Sequence, residues 1–264
     1  MKKYLNYVIV SFRVNFTYKT DFIISIVFEM VYFYIYFALW KTVYTSSGDT
    51  SIATYTLSAM VTYYFITAFI HQIEPSGAIY LGENIWNGNF TNDLVKPWSA
   101  KFIDTIYTTG EVAFKAVMYL PFFIFIYISA HSYIILPTLS NFILFFVTIF
   151  LAFFLMLSYQ MIMHALTFHF GDQDANIGLV TYLVSFVGGG VVPLALLPNK
   201  LQSIVNILPF RFIFNEPANI FLGKVSFNII VLDWLQILLW ICVFYGVHII
   251  VFNKGVKKYT GVGR

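Results

Sequence analysis

The sequence predicts an all-α integral membrane protein. It has six transmembrane helices, an N-terminal interfacial helix, and a re-entrant helical segment between spans five and six. Three observations carry this prediction. Of 264 residues, 59% are hydrophobic and only 10% charged, against roughly 25% charged in an ordinary soluble domain. The apolar residues gather in runs of about 20, the length that crosses a hydrocarbon core of about 30 Å. The charges gather in a few short segments between those runs. The length accommodates one membrane domain over 1–264 and no second soluble domain of normal size. A net charge of +3 is too small to imply nucleic acid, and the single cysteine, Cys242, excludes an intramolecular disulfide.

Residues 1–20 are mildly amphipathic: Leu5, Val8, Ile9, Phe12 and Phe16 share a helical face, with Lys3, Asn6, Arg13 and Thr17 mostly elsewhere. Such a helix lies in the membrane interface or forms the basic flank of the first span. Lys2 and Lys3 resemble the start of a signal peptide, but no small-residue cleavage site follows. Phe22 to Trp40 is the first span, and its one charge is Glu29. A central carboxylate costs about 2.5–3.5 kcal/mol on insertion scales, so Glu29 is expected to face protein or water. It is either a pathway residue or an acid reaching the headgroups. Thr45 to Ser51 is a polar turn, and Ile52 to Ile70 is an uncharged second span.

The segment 74–101 is the longest that is not membrane-like. Pro75, Gly77, Gly82, Gly88 and Pro97 punctuate it, and Glu74, Glu83, Asp93, Lys96 and Lys101 charge it. Ala78 to Trp86 can form a short helix with Ile79, Leu81, Ile85 and Trp86 as apolar content and Gly88 as its stop. The plain alternative is a solvated loop.

Asp104 to Lys115 reads as the wet start of a third span. Ala116 to Gly171 then runs 56 residues without Asp, Glu, Lys or Arg. That is too long for one span and fits two, divided near His131-Ser132 and Pro137 to Asn141. After the polar turn 171–176, Ala175 to Asn199 is uncharged but broken by Gly188, Gly189, Gly190, Pro193 and Pro198. The fifth span should end near Gly190. Short helices should then dip into the outer leaflet and return over 188–224, with their freed backbone groups satisfied by protein or water. Pro209, Arg211 and Glu216 lie in this stretch. The two charges are expected at a water-facing rim, either paired or anchoring the helices. Trp234 to Asn253 is the last span.

Six spans put both termini on one side. Eleven Lys and Arg lie in the termini, the 74–101 segment and Lys115, against four on the other face: Lys41, Lys200, Arg211 and Lys224. The positive-inside rule then makes both termini and 74–101 cytoplasmic.

Motifs of catalysis are missing. There is no GxxxxGK[ST] phosphate loop, no HExxH and no GxSxG. His164 and His169 are five apart, on different helix faces, so even with Asp172 and Asp174 nearby a shared metal is not expected. No catalytic or metal-binding residue is assigned.

Three stretches resemble the membrane subunits of ABC-2-type transporters, in the branch similar to daunorubicin-type and viologen-type exporter permeases. They are IWNGNFTNDLVKPWSAKFIDTIYTTGE (Ile85 to Glu111), LTFHFGDQDANIGL (Leu166 to Leu179) and VGGGVVPLALLPNKLQSIVNILPFRFIFNEPANIFLGK (Val187 to Lys224). The third is the most specific. The resemblance implies a permease that pairs with a second permease in a bacterial plasma membrane and docks a separate cytoplasmic ATP-binding subunit. ATP and Mg would belong to that partner, with no cofactor on this chain. A coupling helix would carry Leu81, Glu83, Asn84, Ile85 and Trp86. An outer cap or gate would carry Gly188, Gly189, Gly190, Pro193, Pro198, Pro209, Arg211 and Glu216. The cargo would be amphiphilic or hydrophobic. Two other classes compete. An ion-driven secondary transporter usually breaks a span in both halves, and the first half has no counterpart of Gly188–Pro198. A membrane-embedded lipid-modifying enzyme would have to draw on His164, His169, Asp172 and Asp174.

Overall fold

The computed structural model describes residues 9–10, 13, 19–75, 79–94, 100–170 and 174–260. The interfacial helix expected over 1–20 lies almost wholly outside them, as do Asp172 and its turn. The helices are α1 Lys19–Ser47, α2 Leu57–Ile73, α3 Ile79–Trp86, α4 Phe90–Leu94, α5 Ala100–Met118, α6 Leu120–Ala130, α7 Leu139–Phe170, α8 Asp174–Val187, α9 Asn199–Val205, α10 Asn215–Phe221 and α11 Phe227–Val256. Short 3-10 turns stand at Leu194–Leu196 and Pro209–Phe212. Among the described residues there is no strand, only an isolated bridge between Ile52 and Tyr55.

Among the described residues, four stretches are long and apolar enough to cross a membrane: Phe22–Ser47, Thr108–Tyr133, Leu139–Phe170 and Phe227–Val256. The other two expected spans are shorter. α2 has 17 residues and α8 has 14, about 26 and 21 Å at 1.5 Å per residue. The third span starts as α5, where Glu111 and Lys115 pair at 2.6 Å one turn apart and so neutralise each other. It is interrupted at Tyr119 because Pro121 has no N–H to give to the preceding turn. The division of the long uncharged run falls where expected, at the His131–Tyr133 turn and the extended residues before Leu139.

α7 and α11 run parallel, in one register over their whole length. Trp234 Nε1 donates to Thr148 Oγ1 at 2.8 Å, and His248 Nδ1 lies 2.9 Å from the Met161 carbonyl oxygen. Gly255 then sits against Phe168, where a Cβ would fall 2.6 Å from the ring side chain. The sequence offsets are 86 and 87 residues at the first two contacts. The main core lies between this pair, α2 and the short helices, with Met60, Tyr63, Leu155, Phe212, Phe214 and Ile237 fully buried. A second cluster joins α1, α2 and α6 through Phe33, Val61, Phe122, Phe123 and Ile126.

The bundle has two distinct ends. At one, α3 rests on the C-terminal turns of α7 and α11. At the other, the turn between α1 and α2 meets the chain just before α11: Lys224 Nζ donates to the Thr54 carbonyl at 2.7 Å, and Tyr55 donates to Asn219 Oδ1 at 2.6 Å. That turn is tight, with Ile52 and Tyr55 exchanging both backbone bonds at 2.9 Å. It places the non-glycine residues Ala53 and Thr54 at φ 45° and 73°.

Candidate functional site

The short helix expected within 74–101 is present as α3, and Gly88 past its end has φ 78°, the left-handed stop of a helix C-terminus. Its two faces differ. Leu81 (0% exposed) and Ile85 are buried with Phe90 against Phe168, Phe252, Val256 and Tyr259. Phe90 makes edge contacts with Phe168 at 5.2 Å and Tyr259 at 5.3 Å. Glu83 is exposed, and Asn84 and Trp86 are half-buried. The five residues expected on the coupling helix thus divide between its two faces. Leu81 and Ile85 fasten α3 to the ends of two long helices, because apolar side chains four apart share a face. Glu83 and Trp86 are not part of that buried cluster.

The break after α8 holds the expected glycines and prolines, and its environment is tight. A Cβ at Gly188 would lie 2.7 Å from the Phe210 carbonyl oxygen. One at Gly189, whose φ is +86°, would lie 2.8 Å from Tyr63 Oη, and one at Gly190 would lie 2.7 Å from Ser185 Oγ. The freed backbone groups find protein partners. Tyr63 donates to the Gly189 carbonyl at 2.6 Å and Tyr64 to the Val191 carbonyl at 3.0 Å. Asn215 N donates to the Gly188 carbonyl at 3.0 Å, and Leu194 N donates to Asn215 Oδ1 at 3.3 Å. Pro193, Pro198 and Pro209 each stand at the start of a short helix, where a missing N–H costs least.

Arg211 and Glu216 are paired, Nη1 to Oε1 at 2.9 Å, but they do not sit on an exposed rim. Glu216 is buried, and burial pushes its pKa above the ordinary carboxylate value while Arg211 pulls it down. A third member escaped the sequence reading. Asp233, 2% exposed, accepts from Arg211 Nη2 at 3.0 Å. It lies one residue before the apolar run taken as the last span, so its place inside α11 had no signal of its own. The Arg211 guanidinium also stands 4.4 Å from the Phe212 ring centre. The short helices are thereby clamped to α11.

Glu29 lies on α1 near Gln72 and His71 of α2. His71 Nδ1 is 3.6 Å from Glu74 Oε2, its Nε2 is 3.2 Å from Ser185 Oγ, and its ring lies 4.4 Å from that of Phe214. The sequence offered an i, i+3 His–Glu pair here, at the end of the second span. A further cavity, about 400 Å³ and almost wholly apolar, lies between α2, α5 and α7, lined by Ile70, Val112, Ala116, Phe150 and Met156.

His164 is buried beside α3, and His169 Nε2 lies 3.4 Å from the Val251 carbonyl oxygen on α11. Among the described residues no group of three His, Cys, Asp or Glu could hold a metal ion.

The sequence model of a family described as ABC-2 family transporter protein matches residues 30–263. No curated protein and no solved structure matches the chain.

Proposed function

Because the chain belongs to the ABC-2 family of transporter proteins, we propose that it is the pathway-forming permease of an ATP-driven exporter that moves an amphiphilic or hydrophobic cargo. It is a multi-pass membrane protein, with four helices of spanning length and further shorter apolar helices among the described residues. A separate ATP-binding subunit supplies hydrolysis, since this sequence has no loop to cradle phosphates. A second permease, a copy or a relative, completes the pathway.

The observation that carries this reading is the seating of α3. A lone eight-residue helix is marginal in water. This one is held by Leu81, Ile85 and Phe90 on the ends of α7 and α11. A push on its outer face, at Glu83 and Trp86, would reach both helices directly. α7 and α11 then run in register to the opposite end, where Arg211 ties the short helices to Asp233. On the cytoplasmic side, as the basic residues place it, α3 is thus built to pass a displacement to the outer cap. The apolar cavity between α2, α5 and α7 offers a surface on which cargo of low polarity can rest.

Reconstitution tests this reading. The purified chain should hydrolyse no ATP by itself, and its complex with an ABC ATP-binding subunit from the same genome should hydrolyse ATP and move cargo across vesicles. ATP turnover by the chain alone, free of contaminants, would overturn it.

A further inference from the structure

We propose that the outer face of α11 binds an anionic phospholipid of the inner leaflet, with the lipid phosphate held by Lys254, Lys257 and Lys258 and an acyl chain laid along Leu239, Val243 and Ile250. The site lies apart from α3 and from the cavity between α2, α5 and α7, and it goes beyond the transport reading.

The C-terminal end of α11 has two faces. Phe252, Val256 and the following Tyr259 pack against Leu81, Ile85 and Phe90, and Gly255 on the same side meets Phe168. At about 100° per residue, Lys254, Lys257 and Lys258 fall on the opposite side, and all three are exposed. The exposed apolar stripe of the helix runs straight into them. Leu239, Val243, Val247 and Ile250 are all exposed, and they stand at helical intervals up to Lys254. Lys254 follows Ile250 by four residues, about 6 Å along the axis. A helix of 30 residues is about 45 Å long, enough to carry its last turns through the headgroup layer. An apolar side surface therefore ends in three cations at the depth of lipid phosphates.

Charge selects the occupant. None of these lysines pairs with an acid among the described residues, and no Asp or Glu follows Asp233 in the sequence. Such a basic cluster at the cytoplasmic surface attracts anionic headgroups. A second copy of the chain does not suit this face. Two copies of one orientation in a membrane are related by an axis along its normal, so like charges would meet at the same depth. α3, where the transport reading places the ATP-binding subunit, is seated on the other side of α11. A phosphate held by the lysines offsets the repulsion among three neighbouring ammonium groups. It thereby steadies the turns that carry Phe252, Val256 and the seat of α3.

The test uses the purified full chain in neutral detergent, with phosphatidylglycerol, phosphatidylcholine of the same acyl chains, or glycerol 3-phosphate added at equal concentration. Bound ligand per chain and thermal unfolding are read. Phosphatidylglycerol should bind saturably and raise the unfolding temperature, and the other two should do neither. Lys254→Gln, Lys257→Gln and Lys258→Gln should each weaken phosphatidylglycerol binding about fivefold. The triple glutamine variant should lose both the binding and the thermal shift, and arginine at all three positions should keep them. Lys200→Gln, at an exposed lysine of α9, should change neither. Equal effects of the two lipids, an equal effect of glycerol 3-phosphate, or binding by the triple glutamine variant at the level of the unaltered chain would overturn the proposal. No ATP-binding subunit is present in this assay, so loss of the lipid site and loss of the transport reading are separate results.

Discussion

Tyr63 donates its hydroxyl hydrogen to the carbonyl oxygen of Gly189 at 2.6 Å, joining the middle of α2 to the break that follows α8. The bond spans 126 residues of sequence. Gly189 can adopt its φ of +86° and approach the phenol this closely only because it has no Cβ.

Removing that hydroxyl should therefore be felt. Tyr63→Phe leaves a buried carbonyl without its donor, at about 1–3 kcal/mol. Thermal unfolding of the purified chain should show the loss. Gly189→Ala should cost at least as much, because strain in the left-handed region adds to the contact at 2.8 Å. Unchanged stability in both variants would mean that the break is not held by α2.

The Arg211 clamp yields a second expectation. Arg211→Met would leave Glu216 and Asp233 buried without their cation, a change of about 3–5 kcal/mol. Arg211→Lys should rescue little, since a single ammonium cannot copy the fork that reaches both carboxylates. The readout is again thermal unfolding, and rescue by lysine to the level of the unaltered chain would contradict the clamp geometry.

The turn at the same end predicts a gain. Thr54 holds φ 73° without being glycine, a conformation that costs an L side chain roughly 1–2 kcal/mol. Thr54→Gly should therefore raise stability by up to about 1 kcal/mol, after the entropy that glycine adds to the unfolded chain is subtracted. Lys224→Met should lower it, because the Lys224 ammonium both bonds the Thr54 carbonyl and stands 3.5 Å from the Tyr55 ring centre. A decrease in stability for Thr54→Gly would rule out strain at this turn.

Sidedness is open to direct labelling. In a Cys242→Ser background, single cysteines at Ser47 and Asn199 should react with an impermeant thiol reagent added to sealed cells, and one at Gly88 should not. Labelling at Gly88 would reverse the arrangement that the basic residues imply.

The parts of this architecture that depend on local chemistry were readable from the chain. The helix 79–86 and its glycine stop, the division near His131, and the break at Gly188–Gly190 all follow from hydrophobic runs and from residues that cannot continue a helix. What could not be read depends on long-range contacts. Asp233 had no local mark, because nothing in its neighbourhood says that Arg211, 22 residues earlier, reaches it. Leu81 and Ile85 looked available for a partner because their real neighbours, Phe168 and Phe252, come from other helices. Nothing local marks Tyr63 and Tyr64 of α2 as the residues that supply the hydrogen bonds at the break after α8.

The measurement that tests the account most directly is association of the ATP-binding subunit with variants of α3. Glu83 and Trp86 lie on its outer side, away from the Leu81–Ile85 anchor. In co-purification from membranes, Glu83→Ala with Trp86→Ala should lose the ATP-binding subunit while the permease itself stays folded. Truncating an aromatic anchor at an interface commonly costs more than about 2 kcal/mol, or roughly thirtyfold in affinity. Retention of the ATP-binding subunit at the unaltered level, with transport intact, would show that α3 is not the coupling element.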